Sequence, residues 1–173
     1  MSGALPRTAV VVGNPRPNSR TLGAALHVVR EVVGSDPDLV VDLAVAGAEV
    51  LDPASVTVST WVDQVQAADL VVVASPTYKA TYTGLLKVFL DRFPADSIAG
   101  VAVPLMVGAG PEHALAAEHT LSPLLRHLGA SVPTSALYVL DARWDDPTAY
   151  ADWLERARPR LRRHLRPEPA VIG

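Results

Sequence analysis

The chain has 173 residues, of which 49% are hydrophobic, and this size predicts one domain with a buried core. Its formal net charge of -3 at pH 7 gives no reason to expect nucleic acid or an anionic membrane as a partner. The absence of cysteine excludes disulfide bonds, thiolate metal sites and thiol catalysis. No apolar run reaches the length of a membrane span or a secretory signal, so we expect a soluble, cytoplasmic protein.

Short β-branched runs alternate with longer segments of helical periodicity along the chain. Strands are predicted at residues 8–12, 39–45, 70–74, 101–107 and 136–140. Helices are predicted at residues 20–33, 59–67, 84–92 and 114–128, with a last helix that begins near residue 147. This alternation predicts an α/β fold, a doubly wound parallel sheet of five strands in the order 2-1-3-4-5 with helices on both faces. Residues 1–173 form one predicted domain, and 166–173 form an irregular tail.

In such a sheet a ligand lies beyond the carboxyl ends of the strands, where the strand order reverses. The loop after the first strand contains the only two asparagines of the chain, and Ser19 is placed to cap the next helix. A helix N-terminus offers free N–H groups to a phosphate, and the Arg16 guanidinium adds donors that suit the same group. An ordinary capped turn with Arg16 in solvent is the alternative. The predicted phosphate-binding residues are Asn14, Arg16, Asn18, Ser19, Arg20 and Thr21.

The loop after the third strand concentrates aromatic and cationic residues. Two of the four tyrosines and both lysines of the chain lie within residues 78–87. A flat, electron-poor ring needs backbone polar groups along its edge and aromatic or apolar surface against its faces, and this loop offers both. The alternative is that Tyr78 is a surface aromatic residue. The predicted ring-binding residues are Pro76, Thr77, Tyr78 and Lys79.

Residues 76–91 resemble a signature of the NAD(P)H-dependent FMN reductases, Pro-x-Tyr-Lys-x-x-Tyr-x-Gly-x-Leu-Lys-x-x-x-Asp, and match it at every fixed position. The first loop is similar to the family's Gly-Ser-x-Arg-x-x-Ser-x-Thr through Gly13, Arg16, Ser19 and Thr21, while Asn14 replaces the family serine. The nearest branch comprises the flavin reductases of sulfonate two-component monooxygenase systems. The resemblance covers essentially the whole chain and implies a flavodoxin-like fold that binds FMN.

The resemblance also assigns the loop after the fourth strand. The family has Gly-Gly-x-x-x-His there, which wraps the pyrimidine end of the flavin; Gly108 and His113 fit this pattern, whereas Ala109 replaces the second glycine. Gly110 follows in the same predicted flavin-binding loop. Sulfonate-type relatives carry an inserted bulge at the subunit interface further along this helix, at the position of His119.

The activity that the resemblance implies is hydride transfer from NADPH or NADH to FMN, in which the flavin carries the chemistry. We therefore expect no catalytic side chain and no metal site. The resemblance implies a homodimer or homotetramer that supplies reduced flavin to a partner monooxygenase. Two alternatives remain open at this point: an FMN-containing quinone or azo reductase, and a non-enzymatic FMN carrier of the flavodoxin type.

Arginine is frequent near the carboxyl end of the chain, between residues 156 and 166. Cations near a helix C-terminus are favoured by the helix dipole, so these side chains are interpreted as a solvated helix face. A contact with the 2′-phosphate of NADPH is the alternative.

Overall fold

The computed structural model describes residues 6–165, and its centre is a sheet of five strands. The strands are β1 (Thr8–Val12), β2 (Leu39–Asp42), β3 (Leu70–Pro76), β4 (Val101–Gly108) and β5 (Leu137–Leu140). They lie in the order β2-β1-β3-β4-β5, and each neighbouring pair is parallel. The predicted sheet is therefore confirmed. The predicted tail at 166–173 lies outside the described residues.

Six α-helices lie within the described part of the chain: α1 (Arg20–Val33), α2 (Leu43–Ala46), α3 (Val56–Gln66), α4 (Gly84–Leu90), α5 (Ser122–His127) and α6 (Thr148–His164). Helices α1 and α6 pack on the sheet face that carries Val10 and Val12. Helices α3, α4 and α5 pack on the opposite face, against Ala9 and Val11. Strands β1, β3 and β4 are buried along their whole length, as expected for parallel strands covered on both sides. No helix within residues 6–165 is long and apolar enough to cross a membrane.

Helix α1 begins and ends at the predicted residues because both ends carry strong caps. The Ser19 hydroxyl accepts a hydrogen bond from Leu22 N–H, which satisfies one of the free donors of the first turn. Gly34 ends the helix in the left-handed region, with a φ of 86°, and its N–H donates to the carbonyl of Arg30. These caps fix the N-terminus of α1 directly after the loop that follows β1.

Strand β2 is shorter than predicted, since it ends at Asp42 rather than at residue 45. The Asp42 carboxylate accepts the N–H of Ala44 and begins the short helix α2. Residues 43–45 are apolar and extend the strand pattern in the sequence, but a local side-chain cap competes with strand pairing at this point. Asp42 is thereby directed toward the carboxyl edge of the sheet.

The predicted helix at residues 114–128 is divided in the structure. A 3₁₀ turn at Pro111–His113 is followed by a π-helical turn at Ala117–Leu121, and α5 begins only at Ser122. Pro123 has no N–H to donate, and its ring crowds the carbonyl four residues earlier, so the regular helical pattern is interrupted before it. His119 lies within this π-helical turn.

Two of the carboxyl-terminal arginines hold the C-terminus of α1 rather than facing only solvent. Arg158 donates to the carbonyl of Glu31 at 2.9 Å and to its carboxylate at 2.7 Å, and Arg162 donates to the carbonyl of Val32 at 3.3 Å. The last carbonyls of a helix have no partner within the helix, so these arginines act as external caps. A 14-residue helix is roughly 20 Å long. These arginines therefore lie far from the N-terminus of α1.

The first turn of α1 packs tightly against the segment that precedes α6. A Cβ atom on Gly23 would lie 2.1 Å from Cζ3 of Trp144, so only glycine fits at this contact. The Tyr150 hydroxyl donates to the Trp144 carbonyl, and the Tyr150 ring lies 4.4 Å from the ring of His27. Burial raises the pKa of Tyr150 to about 12. The segment between β5 and α6 is thus fixed beside the N-terminus of α1.

Candidate functional site

A cavity of about 480 Å³ opens at the carboxyl edge of the sheet. Its lining comes from the loop after β1 (Asn14 and 16–21), the end of β3 with the next residues (76–78), the end of β4 with Ala109 (107–109), and Asp141 after β5. The cavity lies where the strand order reverses around β1, which is the usual ligand position in a doubly wound sheet.

The loop after β1 is fixed by side chains within it and next to it. Asn14 Oδ1 accepts the N–H of Arg16 at 2.9 Å, and Asn14 Nδ2 donates to Thr21 Oγ1 at 3.1 Å. Asp42 accepts the N–H of Asn18 at 3.2 Å, and Asn18 adopts a φ of 52°. The loop therefore holds its shape through Asn14 and through the capping residue of α2. No sequence pattern indicated the contribution of Asp42.

The two arginines of this loop differ in their contacts. The Arg16 side chain is exposed and has no hydrogen-bond partner among residues 6–165. Arg20, the first residue of α1, forms an ion pair with Asp141, which directly follows β5. The side chains of Arg20 and Asp141 are 58% and 43% exposed, respectively. The positive end of α1 thus has one free guanidinium and one that is already paired.

The loop after β3 is held by backbone hydrogen bonds. Thr77 N–H donates to the carbonyl of Val107 at 2.7 Å, and Tyr78 and Thr81 exchange two backbone hydrogen bonds of 2.9 and 3.2 Å. The two residues between them both adopt positive φ, 54° at Lys79 and 65° at Ala80. A two-residue turn of this kind requires left-handed backbone, which side chains other than glycine and asparagine disfavour. Tyr78 remains 48% exposed beside the cavity.

Thr83 joins the first and third loops through buried hydrogen bonds. Its hydroxyl donates to the carbonyl of Gly13 at 2.5 Å and accepts the N–H of Leu86 at 3.1 Å, which caps α4. Its own N–H donates to Ser75 Oγ at 3.0 Å. Because Thr83 contacts both loops, it fixes the distance between the two sides of the cavity.

Tyr138 supports the wall formed by the end of β4. Its hydroxyl donates to the carbonyl of Gly110 at 2.6 Å, and burial raises its pKa above the ordinary value. A Cβ on Gly108 would lie 1.9 Å from the Tyr138 hydroxyl, so this wall requires glycine there. The Thr77 hydroxyl is buried beside Tyr138 and makes no well-formed hydrogen bond within residues 6–165.

The fourth loop departs from the family pattern without backbone strain. Ala109 does not adopt positive φ, so its conformation is open to residues other than glycine. His113 Nε2 lies 4.0 Å from a carboxylate oxygen of Glu112. His119 is exposed on the π-helical turn. No group of three potential metal ligands occurs within the described residues.

The structure brings most of the predicted site residues together. The lining includes all six residues predicted in the first loop, with Pro76, Thr77, Tyr78, Gly108 and Ala109. Lys79, Gly110 and His113 lie outside this lining. Pro17, Val107 and Asp141 line the cavity and were not predicted. Pro17 and Val107 adjoin predicted residues in the sequence, and Asp141 directly follows the predicted fifth strand, whose loop was not among the predicted site loops.

The sheet order and the position of the cavity define a flavodoxin-like α/β protein with its binding site at the carboxyl edge of the sheet. Comparison with known proteins narrows this class.

A family model described as NADPH-dependent FMN reductase matches residues 6–145. The NADH-dependent FMN reductase SfnF of Pseudomonas putida is 33% identical over 147 residues, which cover 80% of this chain and 79% of that protein. The FMN reductase (NADPH) of Pseudomonas aeruginosa is 32% identical over 163 residues, 88% of this chain and 86% of that protein. The crystal structure of an NADH:FMN oxidoreductase, EMOB, in its apo form has a TM-score of 0.82 at 30% identity, and the match covers 94% and 91% of the two chains. The chain therefore belongs to the NADPH-dependent FMN reductase family.

These matches confirm the predicted family, the flavodoxin-like fold and the class of enzyme, an oxidoreductase that reduces flavin. They also confirm FMN and NADPH or NADH as the predicted cofactors.

Proposed function

We propose that the protein reduces FMN with NADPH or NADH and releases the reduced flavin to a partner monooxygenase. The observation that carries this proposal is the composition of the cavity, which joins a helix N-terminus and a free arginine to a wall of backbone groups and an aromatic side chain. FMN has the same two parts, a charged phosphate and a flat ring with a polar edge.

The phosphate end of FMN fits the N-terminus of α1. The first-turn N–H groups of a helix attract anions. The Ser19 hydroxyl accepts only the N–H of Leu22, so the N–H groups of Arg20 and Thr21 remain free. The unpaired Arg16 guanidinium adds a charge-assisted donor. We propose that Arg16, Ser19 and Thr21 hold the phosphate, while Asn14 and Asn18 keep the loop in shape.

The ring end of FMN fits the opposite wall. Tyr78 is 48% exposed there, and Thr77 lines the cavity beside it. Gly108 and Ala109 present backbone without bulky side chains. We retain Lys79, Gly110 and His113 as proposed contacts at the rim, since they belong to the same two loops. When bound, FMN accepts hydride from the nicotinamide; the side chains of this chain bind and orient it and exclude water.

The test is NADPH and NADH oxidation by the purified protein, with and without added FMN, FAD and riboflavin. We expect oxidation that depends on added FMN and is much slower with riboflavin. Tightly retained FMN and ping-pong kinetics with a quinone or an azo dye would indicate the alternative reductase. A protein that binds FMN but is inert toward both nucleotides would be a carrier, and the proposal would be wrong.

We extend the proposal to assembly and location. The resemblance places an inserted bulge of the sulfonate-type relatives at their subunit interface, at the position of His119, and we propose that the π-helical turn of this chain forms the contact between subunits. Light scattering should then give the mass of a dimer or tetramer; a monomer at micromolar concentration would contradict this part. A cysteine-free chain needs no oxidising compartment, and we propose a cytoplasmic location.

A further inference from the structure

Asp141 places a carboxylate at the positive end of α1, inside the cavity lining. Its hydrogen-bond partner among residues 6–165 is Arg20, at the start of the helix. The neighbouring Asp146 holds the start of α6 by accepting the N–H of Thr148, so Asp141 is not required for that cap. Within residues 6–165, the structural role of Asp141 is therefore limited to its ion pair with Arg20.

A carboxylate in this position opposes the binding of a phosphate in two ways. It occupies donors of Arg20 that a phosphate would otherwise receive, and it repels a group that carries about two negative charges at neutral pH. Exposed ion pairs contribute little stability, so an arriving phosphate can displace the carboxylate. The repulsion persists after displacement because both anions share the same end of the cavity.

We propose that Asp141 sets the affinity for flavin phosphate, weakening FMN so that the flavin is exchanged rather than retained. This inference rests on the proposed function. It makes Asp141 a residue that determines affinity for the phosphorylated ligand, without any direct part in hydride transfer. Riboflavin has no phosphate, so it provides the reference ligand.

The experiment compares apo wild-type protein with D141N in fluorescence titrations with FMN and with riboflavin at low salt. The dissociation constant for FMN should fall roughly three- to tenfold, the scale of Coulomb repulsion between a carboxylate and a dianion at about 6 Å in water. Riboflavin affinity should stay within roughly twofold. The rate of FMN dissociation, measured by stopped flow, should fall in parallel. Added salt should reduce the difference between the two proteins.

The matched control is D36N. Asp36 forms an exposed ion pair with Arg30 at 2.5 Å, near the other end of α1, so the substitution makes the same change in net charge away from the cavity. We expect D36N to bind both flavins as wild type does. A gain in FMN affinity equal to that of D141N would show an effect of overall charge and overturn the inference.

Other outcomes also decide the matter. Unchanged or weaker FMN binding by D141N would overturn the inference. Asp141 would then have no effect on FMN affinity, or would raise it by orienting Arg20 toward the phosphate. Equal tightening of FMN and riboflavin would assign the effect to the ring and overturn it as well. Wild-type protein that binds neither flavin would instead refute the proposed function, together with this inference.

Discussion

The loops after β1 and β3 line the same cavity, yet they are held in different ways. In the first loop, side chains satisfy the backbone: Asn14 binds Arg16 N–H, and Asp42 binds Asn18 N–H. In the third loop, backbone groups bind each other, and two consecutive residues adopt positive φ.

The difference shows which part of the site is complete before a ligand arrives. The first loop is held in shape by Asn14 and Asp42, while the first-turn N–H groups of α1 stay available to an anion, and a loop that is already fixed lowers the cost of binding. The third loop leaves Tyr78 half exposed, and a bound ring would cover it. The phosphate and the ring of FMN should therefore depend on separate sets of residues.

The largest effect is expected from Arg16→Ala. Loss of a charge-assisted hydrogen bond should weaken FMN binding by ~1.5–3 kcal/mol, while riboflavin binding should be nearly unaffected. Isothermal titration with both flavins measures this directly. Arg30→Ala, at the far end of α1, is the control and should bind both flavins normally. Equal losses for FMN and riboflavin would show that Arg16 does not contact the phosphate.

Tyr78→Ala should show the opposite selectivity. Loss of the aromatic contact should weaken the binding of FMN and of riboflavin alike, by roughly 1–3 kcal/mol. Tyr78→Phe keeps the ring and should retain both affinities. In the double variant with Arg16→Ala, the two losses of FMN affinity should nearly add, since the residues bind different parts of the ligand. An unchanged riboflavin affinity in Tyr78→Ala would refute the placement of the ring.

A smaller effect is expected from Ala80→Gly, which tests the strain in the third loop. Alanine at a φ of 65° is disfavoured relative to glycine, so the substitution should raise the free energy of unfolding by about 0.5–1 kcal/mol. Urea denaturation measures the change. Ala151→Gly, at an exposed position inside α6, should have the opposite sign. A destabilised Ala80→Gly protein would show that the turn is not strained.

The smallest effect is expected from the two histidines of the fourth loop and its helix. His113→Gln and His119→Gln should each leave kcat within about tenfold of wild type, below the ~10²–10⁴-fold loss that follows removal of a general acid or base. Steady-state oxidation of NADPH at saturating FMN provides the measurement. A larger drop in kcat with unchanged FMN affinity would give that histidine a catalytic role.

Local signals in the sequence predicted much of this molecule. The bounds of β1 and α1 were predicted correctly, because a buried β-branched run and a Ser19–Gly34 cap pair are encoded by adjacent residues. The end of β2 was not, because the cap formed by Asp42 competes with an apolar strand pattern. The interrupted helix before α5 depends on Pro123, whose effect on a long apolar pattern was not anticipated.

Prediction of the cavity residues from the sequence was limited in the same way. Residues within the three predicted loops could be found because their order along the chain places them at one edge of the sheet. The same order places Asp141 at this edge, directly after the predicted fifth strand, but its ion pair with Arg20, 121 positions away, could not be predicted. The caps that Arg158 and Arg162 provide for α1 were missed for the same reason, because their partners lie in a distant helix. Contacts between remote segments leave no periodic signal in a single sequence.

The contact between Gly23 and Trp144 has a consequence for the divergence of this protein. Any side chain at position 23 would occupy the volume of the indole ring, so residue 23 cannot become larger while Trp144 is retained. Homologues with alanine or a larger residue at position 23 should therefore carry a smaller residue at position 144, and the two positions should co-vary. A mutational library that randomises position 23 should yield folded protein with a larger residue there mainly when position 144 is randomised with it.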